Sequence, residues 1–366
     1  MMEDRLQHSI TPLLLRWFRA NARELPWRKT RDPYAIWVSE IMLQQTQVKT
    51  VIPFWERWMS ELPDITSLAQ APSEKIHKLW EGLGYYTRVR NMQKAAQVIL
   101  EKHGGIFPNE FESVLSLPGI GRYTAGAICS IAYNQPTPLL DGNVIRVLTR
   151  VYGISENPRD KNTNARLWAL AEELVKDASQ IECGRRPANR RETFPHCSYL
   201  NQSLMELGAL ICTPRQTKCD ECPIQQHCSA FRENRVHALP NLGERVATTD
   251  RRFVAFIVEQ KGKFFVQQRP EGVVNAHLWE FPNFEITGKL AGAVSHFSKI
   301  SKKPVCRIKH SITRYRISLE VFRAEIADKE GVPGHWMTRV ELEKLAFPSA
   351  HRKILRHLDP VAAMLD

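Results

Sequence analysis

Cys212, Cys219, Cys222 and Cys228 stand in the pattern C-x6-C-x2-C-x5-C, closed within 17 residues. Four thiolates so near one another suit a single iron–sulfur cluster, which takes four soft ligands. A structural zinc and a pair of disulfides fit the same spacing. Two carboxylates upstream also have placements that bear on chemistry. Glu40, in Ser39-Glu40-Ile41-Met42-Leu43-Gln44-Gln45-Thr46-Gln47, borders an apolar stripe whose neighbours would raise its pKa toward that of a general acid; the bland alternative is a solvated helix-face glutamate. Asp141, in Leu139-Leu140-Asp141-Gly142-Asn143-Val144, directly precedes a helix and reads as its N-cap.

Between these carboxylates lies Leu117-Pro118-Gly119-Ile120-Gly121-Arg122-Tyr123-Thr124-Ala125-Gly126-Ala127, flanked by helical stretches. Gly119 and Gly121 permit a tight turn with exposed backbone N–H groups, and Arg122 follows. Such groups beside a helix N-terminus hold a phosphate without reading base sequence. The string has the form of a helix–hairpin–helix over about 109–132; the alternative is an ordinary turn between helices.

The elements that must carry these residues are legible from periodicity. Residues 1–230 read as helices in series. Asp32-Pro33 starts one, with Asp as N-cap and Pro at the first position. Tyr34, Trp37, Val38 and Ile41 then form an apolar stripe, as do Ile76, Leu79, Trp80 and Leu83 before Gly84. Val89, Met92, Ala96 and Ile99 form another, ended by Gly104-Gly105, and Leu167, Leu170, Ala171 and Leu174 a later one. Residues 231–250 read as a polar, irregular linker within the stretch that begins near 229. From 251 to 366 the chain changes texture. Phe253–Val258 and Lys263–Gln267 flank a turn at Gly262, residues 316–322 alternate in strand fashion, and 339–358 read as a helix. The expected fold is an all-α domain carrying the cysteine loop (212–228), followed by a smaller α+β domain.

The 366 residues have room for two or three domains, and 51 Lys and Arg against 39 Asp and Glu give a formal charge of +12. That balance suits a polyanion such as nucleic acid. No apolar run is long enough to span a bilayer, and Met1-Met2-Glu3-Asp4 lacks the regions of a signal peptide. Eight cysteines in such a chain point to reduced thiols and metal binding in the cytosol; the expected location is cytoplasmic, beside the nucleoid of a bacterium.

Taken together, the strings Trp37 to Val48, Gly82-Leu83-Gly84-Tyr85-Tyr86-Thr87-Arg88, Leu117 to Ala127, Leu140 to Val144, Asn201 to Thr213 and the cysteine loop resemble MutY-type adenine DNA glycosylases of the endonuclease III superfamily over nearly the whole chain. The resemblance implies a monomeric enzyme of base excision repair that flips adenine out of duplex DNA where it is mispaired with 8-oxoguanine or guanine, and hydrolyses its glycosidic bond. It implies one [4Fe-4S] cluster on Cys212, Cys219, Cys222 and Cys228, ordering a loop with Arg215 and Lys218 for phosphate contact. Glu40 would protonate the leaving adenine, Asp141 would stabilise positive charge on the sugar, and Tyr123 and Asn143 would hydrogen-bond around them. Trp27, Arg28, Gln202 and Glu206 match residues around the flipped adenine, and Gln45 and Tyr85 match residues pushed into the stack around the oxidised guanine. Gly119, Gly121 and Arg122 match the backbone-binding hairpin. Lyases of the superfamily carry a Lys at the place of Tyr123, where an amine forms a Schiff base with the sugar; Tyr implies a glycosylase without efficient strand cleavage.

Residues from about 251 resemble the Nudix-like domain with which that family reads 8-oxoguanine, with Leu278-Trp279-Glu280-Phe281-Pro282 as its trace. The glutamate-rich metal box of Nudix hydrolases is missing downstream, which implies recognition without pyrophosphate hydrolysis; a domain serving only as scaffold is the alternative. Here the chain departs from the family. The usual Phe-Ser-His loop is Ile312-Thr313-Arg314, with Thr313 keeping a hydroxyl and Arg314 bringing a permanent charge for 8-oxoguanine or a phosphate. A second departure is the insertion Ile181–Ser198, with Arg185, Arg186, Arg190, Arg191, Cys183, His196 and Cys197. It reads as a solvated basic loop, as an added phosphate contact, or as a second metal site short of a fourth ligand.

Other functions remain open to these residues. A pyrimidine-removing glycosylase/lyase is disfavoured by Tyr123 and the second domain, and a thymine-mismatch glycosylase is separated by substrate. A non-catalytic binder of oxidised mismatches conflicts with the presence of both Glu40 and Asp141.

Overall fold

The computed structural model describes residues 9–181, 195–244, 247–286, 295–312, 314–327 and 333–358. Contacts group the chain into two units: residues up to 69 with 92–245, and 70–91 with those from 246 onward.

The first unit is helical. It contains α1 (Thr11–Asn21), α2 (Pro33–Leu43), α3 (Val48–Glu61) and α4 (Ile65–Gln70); α5 (Ser73–Leu79) belongs to the second unit, and α6 (Thr87–His103) spans the boundary. The first unit continues with α7 (Phe111–Leu115), α8 (Arg122–Tyr133), α9 (Gly142–Val151), α10 (Lys161–Gln180), α11 (His196–Leu210) and the short α12 (Ser229–Arg232). Asp32 caps α2 by accepting from the Tyr34 N–H at 3.0 Å, and Pro33 supplies the first helical residue. The α6 stripe is buried, and the helix ends at Gly104 and Gly105, both left-handed.

Helix α2 differs from the one-sided stripe its periodicity predicts. Every residue from Tyr34 to Met42 is buried, because both α3 and α8 pack on it. Glu40 therefore does not sit on a solvated face; it is 5% exposed. Helix α11 is likewise central, with α1, α8, α9 and α10 packed around it. These two interior helices and the N-termini of α8 and α9 carry most of the polar residues singled out above.

The second unit is built on a mixed sheet of β1 (Thr249–Gln260), β2 (Lys263–Gln268), β3 (Trp279–Glu280), β4 (Asn283–Glu285), β5 (Phe297–Ser298), β6 (Cys306–Ile312), β7 (Tyr315–Ile326) and β8 (His335–Thr338). Its main path runs β3-β2-β1-β7-β5, with β4 on β1, β6 on β7 and β8 on β2. Among the described strands only β1 and β7 are parallel, from Thr249 opposite Tyr315 to Val258 opposite Ala324. Lys261 and Gly262, both at positive φ, make the two-residue turn between β1 and β2 that matches strand twist. Strand β1 is buried on both faces: Ala255 and Ile257 pack with Phe281, Leu319 and Phe347, while Val254, Phe256 and Val258 pack with Phe265 and Phe297.

The tail is not one helix. It divides into α13 (Arg339–Lys344) and α14 (Ser349–Ile354), because Pro348 disfavours helical backbone at the residue before it, and the Ala346 carbonyl accepts from the Trp279 N–H at 2.9 Å instead. The gap also holds the 70–91 segment: Lys78 Nζ donates to the Leu345 carbonyl at 2.9 Å, and the Glu81 carboxylate accepts from the Phe347 N–H at 2.9 Å.

Candidate active site and cysteine loop

A cavity of about 520 Å³ in the first unit is lined by Glu40, Asp141, Tyr123 and Asn143, and also by Trp27, Arg28, Gln45, Gln202 and Glu206. Residues from α2, α8, α9 and α11 and from the turn Pro26–Arg28 thus meet at one place. Tyr123 Oη donates to Glu40 Oε2 at 2.5 Å. Burial pushes the Glu40 carboxyl up to about 7; the Tyr123 hydrogen bond opposes that shift, the Asp141 charge adds to it, and Arg28 opposes it. Burial, then the Glu40 and Asp141 charges, push Tyr123 well above its ordinary range, so it stays a donor.

Asp141 does cap α9: its Oδ1 accepts from the Val144 N–H at 2.7 Å, and its Oδ2 accepts from Asn143 Nδ2 at 2.8 Å. Burial raises its pKa while these bonds oppose the shift. The close approach behind it depends on two glycines. A Cβ on Gly126 would lie 2.1 Å from the Pro138 carbonyl oxygen, in the segment leading to Asp141, and one on Gly208 would lie 2.6 Å from Asn143 Cβ.

On the opposite wall Glu206 is buried and held by two arginines. Arg23 donates from Nε at 2.8 Å, from Nη2 at 2.7 Å and from its backbone N–H at 3.0 Å. Arg28 donates from Nη1 at 3.1 Å and Nη2 at 2.9 Å, and reaches Gln202 Oε1 from Nε at 3.1 Å. Burial pushes the Glu206 carboxyl up, but the hydrogen bonds from Arg23 and Arg28 outweigh it and hold the group near 2. Gln45, just past α2, sits at φ 57, a costly conformation for a residue with a side chain.

The hairpin string forms the turn between α7 and α8. Gly119 takes φ 77, and Gly121 is the N-cap of α8 with open space where a Cβ would be. Arg122 lies over the Trp168 ring at 4.0 Å to its centroid.

Cys212, Cys219, Cys222 and Cys228 line one small cavity of about 30 Å³, otherwise walled by Val147, Leu207, Ile211 and Ile224 among others. All four are free thiols. Among the described residues no three His, Cys, Asp or Glu side chains are arranged to hold a metal ion.

In the second unit, Tyr85 is 46% exposed at φ 48, and Arg88 lies between its ring and that of Trp80, at 5.6 and 5.3 Å. Arg314 follows β6, stacks on Tyr315 at 5.2 Å and donates to its hydroxyl at 3.1 Å. Thr313 lies outside the described residues, as does 182–194 of the insertion; His196 and Cys197 belong to α11.

Three arginines in the first unit escaped the sequence reading. Arg23 has no local pattern to mark it. Arg146 donates to Asn143 Oδ1, to the Gly208 carbonyl and to the Cys212 carbonyl, each at 2.7 Å, and its place three residues after Asn143 on α9 is the one available signal. Arg150, one turn further along, is buried beside the cysteines.

Residues 38–173 match the model of the HhH-GPD superfamily base excision DNA repair proteins, and residues 253–357 match that of the NUDIX domain. A solved thermostable thymine-DNA glycosylase shares the helical fold, with TM-score 0.54 and 26% identity, covering 64% of this chain and all of that one. Adenine DNA glycosylase of Rattus norvegicus is 34% identical over 94% of this chain and 76% of its own length. That of Buchnera aphidicola (subsp. Schizaphis graminum) is 37% identical over 75% of this chain and 74% of its own. The chain belongs to the adenine DNA glycosylase family.

Proposed function

We propose that this chain removes adenine from duplex DNA at mispairs with 8-oxoguanine or guanine, by hydrolysing the N-glycosidic bond after flipping the base into the 520 Å³ cavity. The observation that carries the reading is the meeting of Glu40, Tyr123 and Asp141 in that cavity, with Glu40 pushed up to about 7. A carboxyl poised there is protonated often enough near neutral pH to donate to the departing adenine ring, and the resulting carboxylate accepts a proton from the incoming water. Asp141, fixed by the Val144 and Asn143 hydrogen bonds, faces the positive charge that develops on the sugar and stabilises it without moving. Arg28, Gln202 and the ionised Glu206 offer polar contacts for the adenine edge, and Trp27 an apolar wall.

Tyr123 fills the place of a lyase lysine, and its phenol cannot form an imine with the sugar, so the enzyme acts as a monofunctional glycosylase. The hairpin N–H groups and Arg122 hold backbone phosphate, and Tyr85, Gln45, Thr313 and Arg314 contact the oxidised guanine or its strand.

The four thiols fit one [4Fe-4S] cluster. They are soft donors facing one shared space, the donor set that such a cluster takes. When bound, the cluster orders the loop 212–228 and presents Arg215 and Lys218 to phosphate. Among the described residues no helix is long and apolar enough to cross a membrane.

The test is single-turnover adenine release from duplexes with adenine opposite 8-oxoguanine, guanine or thymine, with Glu40→Gln alongside. Release from the first by the parent and none by the variant is expected. Binding without release by cluster-loaded parent protein would favour a non-catalytic mismatch binder.

A further inference from the structure

Arg150 is 2% exposed and ranks among the bulkiest fully buried side chains. Its Nε donates to the Leu239 carbonyl at 2.9 Å, and its Nη1 donates to the Thr213 carbonyl at 2.9 Å and to Cys212 Sγ at 3.2 Å. The Arg150 carbonyl in turn accepts from Cys228 Sγ at 3.5 Å. Among the described residues no carboxylate pairs with it. The two arginines that line the adenine cavity, Arg23 and Arg28, are by contrast both answered by the Glu206 carboxylate.

Burying a guanidinium costs several kcal/mol unless an opposite charge or a full set of hydrogen bonds offsets it. Two carbonyl dipoles satisfy part of its fork; the remaining contact is sulfur. Protonated thiols and disulfides are neutral and would leave the cation uncompensated. Four thiolates on a metal group carry net negative charge, and the apolar wall of Val147, Leu207, Ile211 and Ile224 keeps water from screening it.

We propose that Arg150 is the internal counter-ion of the group held by Cys212, Cys219, Cys222 and Cys228, setting that group's reduction potential and its retention in the protein. The proposal rests on the reading that those cysteines hold an iron–sulfur cluster. A cation and a hydrogen bond at a ligand sulfur stabilise the more reduced, more negative state, so Arg150 raises the potential. It also disfavours loss of the cluster, which would strand the buried charge. Arg150 is a positioning and electrostatic residue; it lines the cysteine cavity and not the adenine cavity.

The experiment uses the whole 366-residue chain as purified, with Arg150→Lys and Arg150→Met. Iron and sulfide per chain are measured first: a parent protein that binds neither overturns the underlying cluster reading. With loaded protein, protein-film voltammetry and the rate of bleaching by ferricyanide and chelator are compared. The expected order of potential and of bleaching half-life is parent, then Arg150→Lys, then Arg150→Met, with the potential moving negative along the series. If Arg150→Met is not recovered soluble, parent against Arg150→Lys decides, because Lys keeps the charge and loses the fork. Potentials and bleaching rates equal to the parent's in loaded variants overturn the proposal.

Discussion

Tyr123 Oη lies 2.5 Å from Glu40 Oε2, joining the first turn of α8 to the middle of α2 across the cavity that Asp141 also lines. The bond tethers the acid without neutralising the burial that raises its pKa. Burial, this bond and the Asp141 and Arg28 charges together set where Glu40 titrates and, on the proposed reading, the pH at which it would donate.

With its carboxyl near 7, Glu40 is protonated below that pH, so the single-turnover rate of adenine release falls as pH rises through about 7. Glu40→Gln abolishes release. It also changes stability with a defined sign. The folded pKa lies above the ordinary 4.5, so the stability associated with protonated Glu40 is complete below 4.5 and is lost as pH rises through 7. Glu40→Gln should match the parent in acid and exceed it above neutrality, by roughly 3 kcal/mol. Thermal melts at pH 4.5 and 8 decide; an equal gap at both would reject the assignment.

Tyr123→Phe removes the hydrogen bond that holds Glu40 down. The midpoint of the rate profile should move to higher pH, which single-turnover assays across the range would detect. Tyr123→Lys places an amine at the same spot, and borohydride should then trap a protein–DNA adduct that the parent does not yield. Efficient trapping by the parent would end the monofunctional reading.

Glu206→Gln leaves Arg23 and Arg28 facing a neutral amide. The loss should be about 2 to 3 kcal/mol, below the range for a fully buried pair because Arg23 is one-third exposed. Glu206 is held near 2, so its contribution is present above 4.5 and lost as pH falls toward 2. Denaturant titrations at pH 7 and 2.5 should show the variant's deficit shrinking in acid.

Gly126→Ala drives a methyl group against the Pro138 carbonyl, where the gap is 2.1 Å. Backbone must shift, at a cost on the order of 2 kcal/mol, and the shift passes along Leu139 and Leu140 to Asp141. Adenine release should fall more than affinity for a duplex carrying a non-hydrolysable adenine analogue. Equal losses in both would make Gly126 a matter of stability alone.

Much of this candidate site is legible in the sequence. Asp141 as a helix cap, the Gly119-Ile120-Gly121 turn and the cysteine spacing depend on local chemistry that sequence displays directly. Glu40 was harder: periodicity marks the apolar side of α2, but cannot reveal that other helices cover the remaining sides as well. Arg23 was invisible, since its partner Glu206 lies 183 residues away and neither neighbourhood signals the other. The tail reads as one helix because its apolar spacing is helical; Pro348 breaks it locally, and the Ala346 carbonyl is taken by the Trp279 N–H, a long-range partner that spacing does not display.

The grouping of residues 70–91 with the chain beyond 246 gives this protein an interleaved order of assembly. A segment made early in synthesis finds its partners, Leu345 and Phe347, only after more than two hundred further residues have been added. The C-terminal unit is therefore not a cassette that can be cut away or exchanged at a single junction. A truncation before it would leave Lys78 and Glu81 without those backbone partners, and a lesion late in the coding sequence would be felt by a helix near its beginning.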